Sequence, residues 1–137
     1  MRTRATRLPS TASIQSATLY LTGNGVLGTS PFAWGDLYAD IRKGVFGGNK
    51  TLQTIDFQAA ASFNSVGVRT SCAATGSCSI ALSGRAFPFI NTFGLTQFRL
   101  RFAPDDNNNK RPDYYKIFSG EATTSRYRPL LVVRYYP

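Results

Sequence analysis

The chain contains no histidine. That single absence removes the commonest general base and the commonest transition-metal ligand together. Cysteine is nearly as scarce, at two residues, so a zinc site would lack ligands. Seven Asp and Glu face sixteen Lys and Arg, and the few carboxylates, such as Asp36, Asp40 and Asp56, show no pairing beyond strand alternation. No serine sits in a nucleophile elbow, and no glycine-rich loop opens a helix to cradle phosphate. The expectation is a protein that is not an enzyme. Long apolar runs are missing too: nothing approaches the ~20 residues that cross a bilayer. The start, "MRTRATRLPSTAS", lacks the apolar stretch of a signal peptide, so any export signal is expected to lie outside this chain or to have been removed.

What is present points to a folded module. A length of 137 residues suits one domain, and 42% hydrophobic with 13% aromatic residues is the composition of a sheet protein rather than a disordered tail. The formal charge of +9 attracts polyanions, and twelve of the sixteen cations are arginine, suited to bidentate capture of carboxylate, sulfate or phosphate. Charge alone does not choose among polysaccharide, nucleic acid and anionic membrane, and dispersed arginines also serve solubility.

Period-two alternation organises the chain. In "IQSATLYLT", 14–22, Ala17, Leu19 and Leu21 share one face and Thr18, Tyr20 and Thr22 the other, with the turn "GNG" at 23–25 expected to end the strand. In "WGDLYADIRKGVF" Leu37, Ala39 and Ile41 alternate with Tyr38, Asp40 and Arg42, and Gly44 marks a bend. "LQTIDF", 52–57, is predicted as another short strand, and "QAAAS" as one helical turn at most. The middle segment reads as a long hairpin. "TQFRLRF" alternates most clearly: Phe98, Leu100 and Phe102 inward, Gln97, Arg99 and Arg101 outward. "DYYKIFS" gives a further strand, and "RPLLVVRYY" ends the chain with a run apolar enough to be buried on both faces. Seven or so short strands and no long helical stripe predict an all-β antiparallel β-sandwich of jelly-roll type at 14–137, behind a basic arm at 1–13.

Cys72 and Cys78 flank a short glycine-containing loop that brings two strand ends together, so a disulfide at a hairpin tip is the first reading and a pair of free buried thiols the other. A disulfide implies export. The run "DDNNNKRPDYYKIFSGE" is rich in oxygen ligands, and Ca2+ on Asp105, Asp106 and Asn108 is one reading. Adjacent residues diverge where calcium loops alternate, which favours a solvated Asx turn. Asp113 and Glu121 are candidates to pair with Arg126 or Arg128. "NKT" places a glycosylation-type sequon at Asn49. Sugar binding needs an aromatic platform flanked by polar groups, for which Trp34, Tyr38, Tyr114 and Tyr115 are candidates, with Arg42, Arg99 and Arg101 as partners if the polysaccharide is acidic. The alternative for each aromatic is ordinary core packing.

Three pieces of the chain carry a likeness: "LPSTASIQSATLYLT", "INTFGLTQFRLRF" followed by "DDNNNKRPDYYKIFSGE", and "YRPLLVVRYY". In these the chain resembles bacterial extracellular β-sandwich domains of the DNRLRE type, a family that includes carbohydrate-binding modules. The resemblance covers about two thirds of the chain by motifs that are structural. It implies a secreted or cell-surface protein with no nucleic-acid partner and no membrane insertion. In the family more chain precedes the "ATLyL" strand, whereas here only Met1 to Arg7 stands ahead of Leu8. A sandwich short of a strand exposes backbone groups along an apolar groove. The expectation is therefore a homo-oligomer or polymer built by strand addition, with Arg2, Arg4 and Arg7 on the donor arm and Val132 to Tyr136 or Leu19 to Leu21 as acceptors. The rival is a monomeric carbohydrate-binding module.

Overall fold

Alternation at the start of the chain becomes β1, Ser13–Leu27, the longest element of a computed structural model that describes residues 8–104 and 107–137. Ala17, Leu19 and Leu21 enter the core while Tyr20 faces out. The strand does not stop at the glycine turn. Gly23 is buried where a Cβ would lie 2.6 Å from both the Ala73 carbonyl oxygen and the Tyr115 hydroxyl, and Gly25 takes φ +102°, so the tripeptide forms a bulge instead. The register shifts between Gly23 and Val26 as a result.

Six more strands follow: β2 (Leu37–Lys43), β3 (Phe63–Cys72), β4 (Thr75–Leu82), β5 (Thr96–Phe102), β6 (Tyr114–Ile117) and β7 (Leu130–Tyr136). All pair antiparallel in the order β5-β2-β3-β4-β1-β6, with β7 also on β1. β7 takes the first half of β1, Ser13 to Tyr20, and β6 takes the stretch from Gly23 to Leu27. The predicted all-β antiparallel architecture is thus present as one seven-stranded sheet curled into a half-barrel.

The inner face gathers Leu19, Leu21, Ala39, Ile41, Val66 and Ile80, with Phe98, Leu100, Phe102, Leu131 and Val133 packed against them half-buried. Cutting Ile80 back to alanine there would cost about 2–5 kcal/mol through lost burial and a cavity. Phe32, in the turn before β2, packs edge-on against Phe102 at 5.1 Å and Tyr115 at 4.8 Å, so one ring links the two ends of the curled sheet.

Two expectations change. "LQTIDF" is not a strand but a 3-10 turn, Thr54–Phe57, and the helical turn expected of "QAAAS" falls just upstream of it. The Gln53 N–H donates to Asp56 Oδ2 at 2.9 Å in a reciprocal capping box, which satisfies locally what a strand would have satisfied through a neighbour. β7, in turn, is covered on one face only: Leu131 and Val133 pack inward, while Leu130 and Val132 lie exposed.

Candidate functional site

The register of β2 on β5 sets Tyr38 opposite Arg101, Asp40 opposite Arg99 and Arg42 opposite Gln97, all on the outer face. Alternation alone would leave Asp40 in water, yet it is fully buried. The cause lies on β3. Between the pairs Ala39↔Gly67 and Ile41↔Phe63, β2 advances two residues and β3 four, so β3 bulges around the carboxylate. Ser65 adopts φ +52° in that bulge and its N–H donates to Asp40 Oδ1 at 2.8 Å. Arg99 Nε and Arg101 Nε donate to Asp40 Oδ2 at 3.0 and 3.1 Å. Burial pushes the Asp40 carboxyl upward, but the Ser65 amide and the two guanidinium groups outweigh it and hold the group below its ordinary range.

Arg99 does a second job with its other nitrogens. Its Nη1 donates to the carbonyls of Asp56 at 3.0 Å and Ala59 at 2.7 Å, and its guanidinium lies 4.8 Å from the centre of the Phe46 ring. Gln97 adds a third tie, accepting the Phe46 N–H at 2.9 Å. Residues 46–59 are thereby strapped over the outer face of β5. A single acid opposite "FRLRF" was the available signal for this cluster, but the β3 bulge that buries the acid has no mark in residue periodicity.

Beyond the strap, β5 is an edge. The Gly44 N–H donates to Leu95 O and the Ala103 N–H to Asp36 O, at 2.8 and 3.1 Å, which fixes the phase of the ladder. Residues 97, 99 and 101 therefore turn their backbone groups toward β2, and 96, 98, 100 and 102 turn theirs outward. Among the described residues no strand pairs with that outer side. A groove of about 410 Å3 runs along it, walled by Phe46, Lys50, Leu52, Asp56 and Phe57 on the strap and by residues 96–100 of β5. Leu52, Ile55 and Phe57 are exposed, although they are among the most apolar side chains of the strap. β7 is the other long edge, paired among the described residues with β1 alone. The stretch Leu19 to Leu21, expected as an acceptor, is interior to the sheet: Leu19 pairs with Ile80 on one side and Leu131 on the other.

The glycan candidates divide. Tyr38, Arg42, Arg99 and Arg101 share the outer face, and the Arg101 guanidinium lies 5.5 Å from the centre of the Tyr38 ring. Tyr115 turns inward, packs on Phe32 and donates its hydroxyl to Ala73 O at 3.1 Å, and burial pushes its pKa up. Tyr114 is exposed on β6, and Trp34 is half-buried with no partner for Nε1 among the described residues.

The asparagine run is a chain of Asx turns over its described part. Asn107 Oδ1 accepts the Asn109 N–H, Asn109 Oδ1 accepts the Arg111 N–H, and Asn107 Nδ2 donates to Asp113 Oδ2. Asn108 is exposed, and Asp105 and Asp106 lie outside the described residues, as do Arg2, Arg4 and Arg7. No cluster of three or more potential metal ligands occurs among the described residues. Asp113 and Glu121 do not pair with the terminal arginines: Asp113 Oδ1 accepts the Thr29 N–H, and Arg128 Nε donates to the Ala122 carbonyl. Asn49 is exposed, its Oδ1 accepting the Thr51 N–H. Cys72 and Cys78 form a disulfide across the β3–β4 hairpin, as the spacing predicts. Among the described residues no helix is long and apolar enough to cross a membrane. No family model, no curated protein and no solved structure matches the chain.

Proposed function

We propose that this protein is a non-catalytic structural or adhesive module of the extracellular space or bacterial cell surface, which assembles with copies of itself by strand addition at open sheet edges. The observation that carries the reading is the unpaired outer side of β5, with its row of outward backbone groups beside an apolar groove. The groove beside it carries Lys50 and Asp56, yet the strap leaves Leu52 and Phe57 exposed along the edge where a purely protective loop would present polar side chains. The disulfide suits an oxidising compartment and so supports export.

Two segments can supply the added strand: the arm carrying Arg2, Arg4 and Arg7, and β7 with its own open edge. Size-exclusion chromatography with negative-stain imaging tests the reading itself. Polymers or ordered fibres that grow with concentration are expected; a monodisperse monomer at all concentrations overturns it. Deleting residues 1–7 then separates the donors, because polymers vanish if the arm supplies the strand and persist if β7 does.

A second reading rests on the clustering of Tyr38, Arg42 and Arg101 on one outer face: a monomeric carbohydrate-binding module for an acidic polysaccharide. Against it, Arg99 and Arg101 already spend donors on Asp40. A monomer retained on an anionic polysaccharide column, and released by Arg42→Ala, favours this reading over assembly.

A further inference from the structure

The assembly reading leaves open which surfaces meet. Resting on that reading, we propose that the strapped edge of β5 receives β7 of a second copy, so that the sheet continues head to tail from one molecule to the next.

Length is the first match. β5 and β7 each contain seven residues, so a full ladder runs about 23 Å at ~3.3 Å per residue. Chemistry is the second. On the β5 side, Leu52 and Phe57 of the strap are 78% and 69% exposed beside the groove, with Phe46 behind them. On the β7 side, Leu130 and Val132 point to the outer face and are 53% and 39% exposed. The register fixes that direction, since Val132 pairs with outward Thr18 and Leu130 with outward Tyr20. A strand added to β5 lies under the strap on the same outer face, so the apolar stripe of β7 meets the apolar wall that residues 46–57 hold out. The terminal run is then covered on both faces, as its composition demands, by its own core inside and by a neighbour's strap outside.

Exposed apolar surface is the third argument. Leu52, Ile55, Phe57, Leu130, Val132 and Tyr136 are all exposed in the single molecule, and together with two strand edges they are the surface such a contact would remove from water. The arm fits the groove less well. Three arginines would enter a groove lined by Lys50 and Arg99 against the one acid Asp56, and Met1 and Ala5 are the only apolar side chains the arm has to offer before Leu8. A β5-to-β7 contact joins two different surfaces, and such a heterologous contact propagates as an open polymer unless it closes into a ring. Copies with a formal charge of +9 repel, so salt should favour assembly by screening that repulsion without weakening the ladder.

Two exposed double variants test the pairing. Leu52→Lys with Phe57→Lys blocks the groove, and Leu130→Lys with Val132→Lys blocks the donor. Each alone is expected to remain monomeric with an unchanged melting temperature. Mixed in equal amounts they should give a 1:1 dimer and nothing larger, because one intact groove and one intact donor remain. The proposal fails if both variants polymerise like the parent, or if the mixture stays monomeric; in the first case self-assembly still stands and other surfaces carry it. A parent protein that is monomeric at every concentration and salt level overturns the assembly reading as well.

Discussion

At one end of the sheet β5 is fixed by charge, and at the other β7 is fixed by packing. The β5 end has a buried carboxylate held by two arginines, and a strap tied by Arg99 to the Asp56 and Ala59 carbonyls and by Gln97 to the Phe46 N–H. The β7 end has a ladder to β1 and two half-buried side chains, Leu131 and Val133. In the proposed assembly, the difference separates acceptor from donor. An acceptor must hold its groove open and in shape before a partner arrives, which requires rigid ties, and polar ties are directional. A donor strand needs only a straight edge and an apolar stripe.

Asp40 is the centre of the rigid end. Asp40→Asn removes the charge that two guanidinium groups share and leaves them uncompensated, which should cost about 3–5 kcal/mol. Chemical denaturation of the monomer measures it. The same variant has a signature in pH. The folded Asp40 carboxyl sits below its unfolded value of 3.8, so its contribution is present above that value and is lost as pH falls through the lower folded pKa. The parent protein should therefore lose stability steeply below about pH 4, and Asp40→Asn should flatten that limb. An unchanged acid limb in the variant would show that Asp40 is not the group responsible.

How much of this contrast could be read from the residues differs between the two ends. "TQFRLRF" and "RPLLVVRYY" announce strands through alternation and apolarity, and both form where predicted. Those signals are local. Burial of Asp40 depends on two extra residues in β3, whose partner lies 25 positions away, and no spacing in either segment encodes that. Within the strap, 52–57 reads as a strand because Leu52, Ile55 and Phe57 are strand-forming residues, whereas the deciding interaction is the Gln53 and Asp56 cap. The glycine tripeptide failed differently. Its turn chemistry is real, but close approach by Ala73 and Tyr115 uses Gly23 for room rather than for reversal. Apolarity on both faces of β7 was legible, and only the structure reveals that one molecule covers one face.

The disulfide gives a middle-sized test, because it closes the β3–β4 hairpin between the two ends. Cys72 and Cys78 are six positions apart, so constraint of the unfolded chain contributes about 2 kcal/mol in the loop-entropy account. Replacing both with alanine should lower stability by about that amount in a urea titration, with a further cost for the buried Cys78 position. Since neither edge contacts the bridge directly, the alanine pair should still assemble below its lowered melting temperature. Loss of assembly in a folded alanine variant would mean that hairpin geometry reaches the edges, and the division into a rigid and a simple end would need redrawing.

The smallest effect concerns the loop that leads from β5 to β6. Asn108 and Lys110 both have φ +58°. Asparagine tolerates that region, but a lysine there carries the Cβ clash that disfavours left-handed backbone. Lys110→Gly relieves the clash and adds freedom to the unfolded chain, so the net gain is about 0.5 kcal/mol, or roughly 2 °C. Asn108→Gly should gain less, because its parent residue is already suited to the site. Thermal unfolding followed by circular dichroism resolves a difference of this size. If Lys110→Gly lowers the melting temperature, the lysine side chain is making a contact that outweighs its backbone strain, and the loop is then a structural tie between the two ends rather than a passive link.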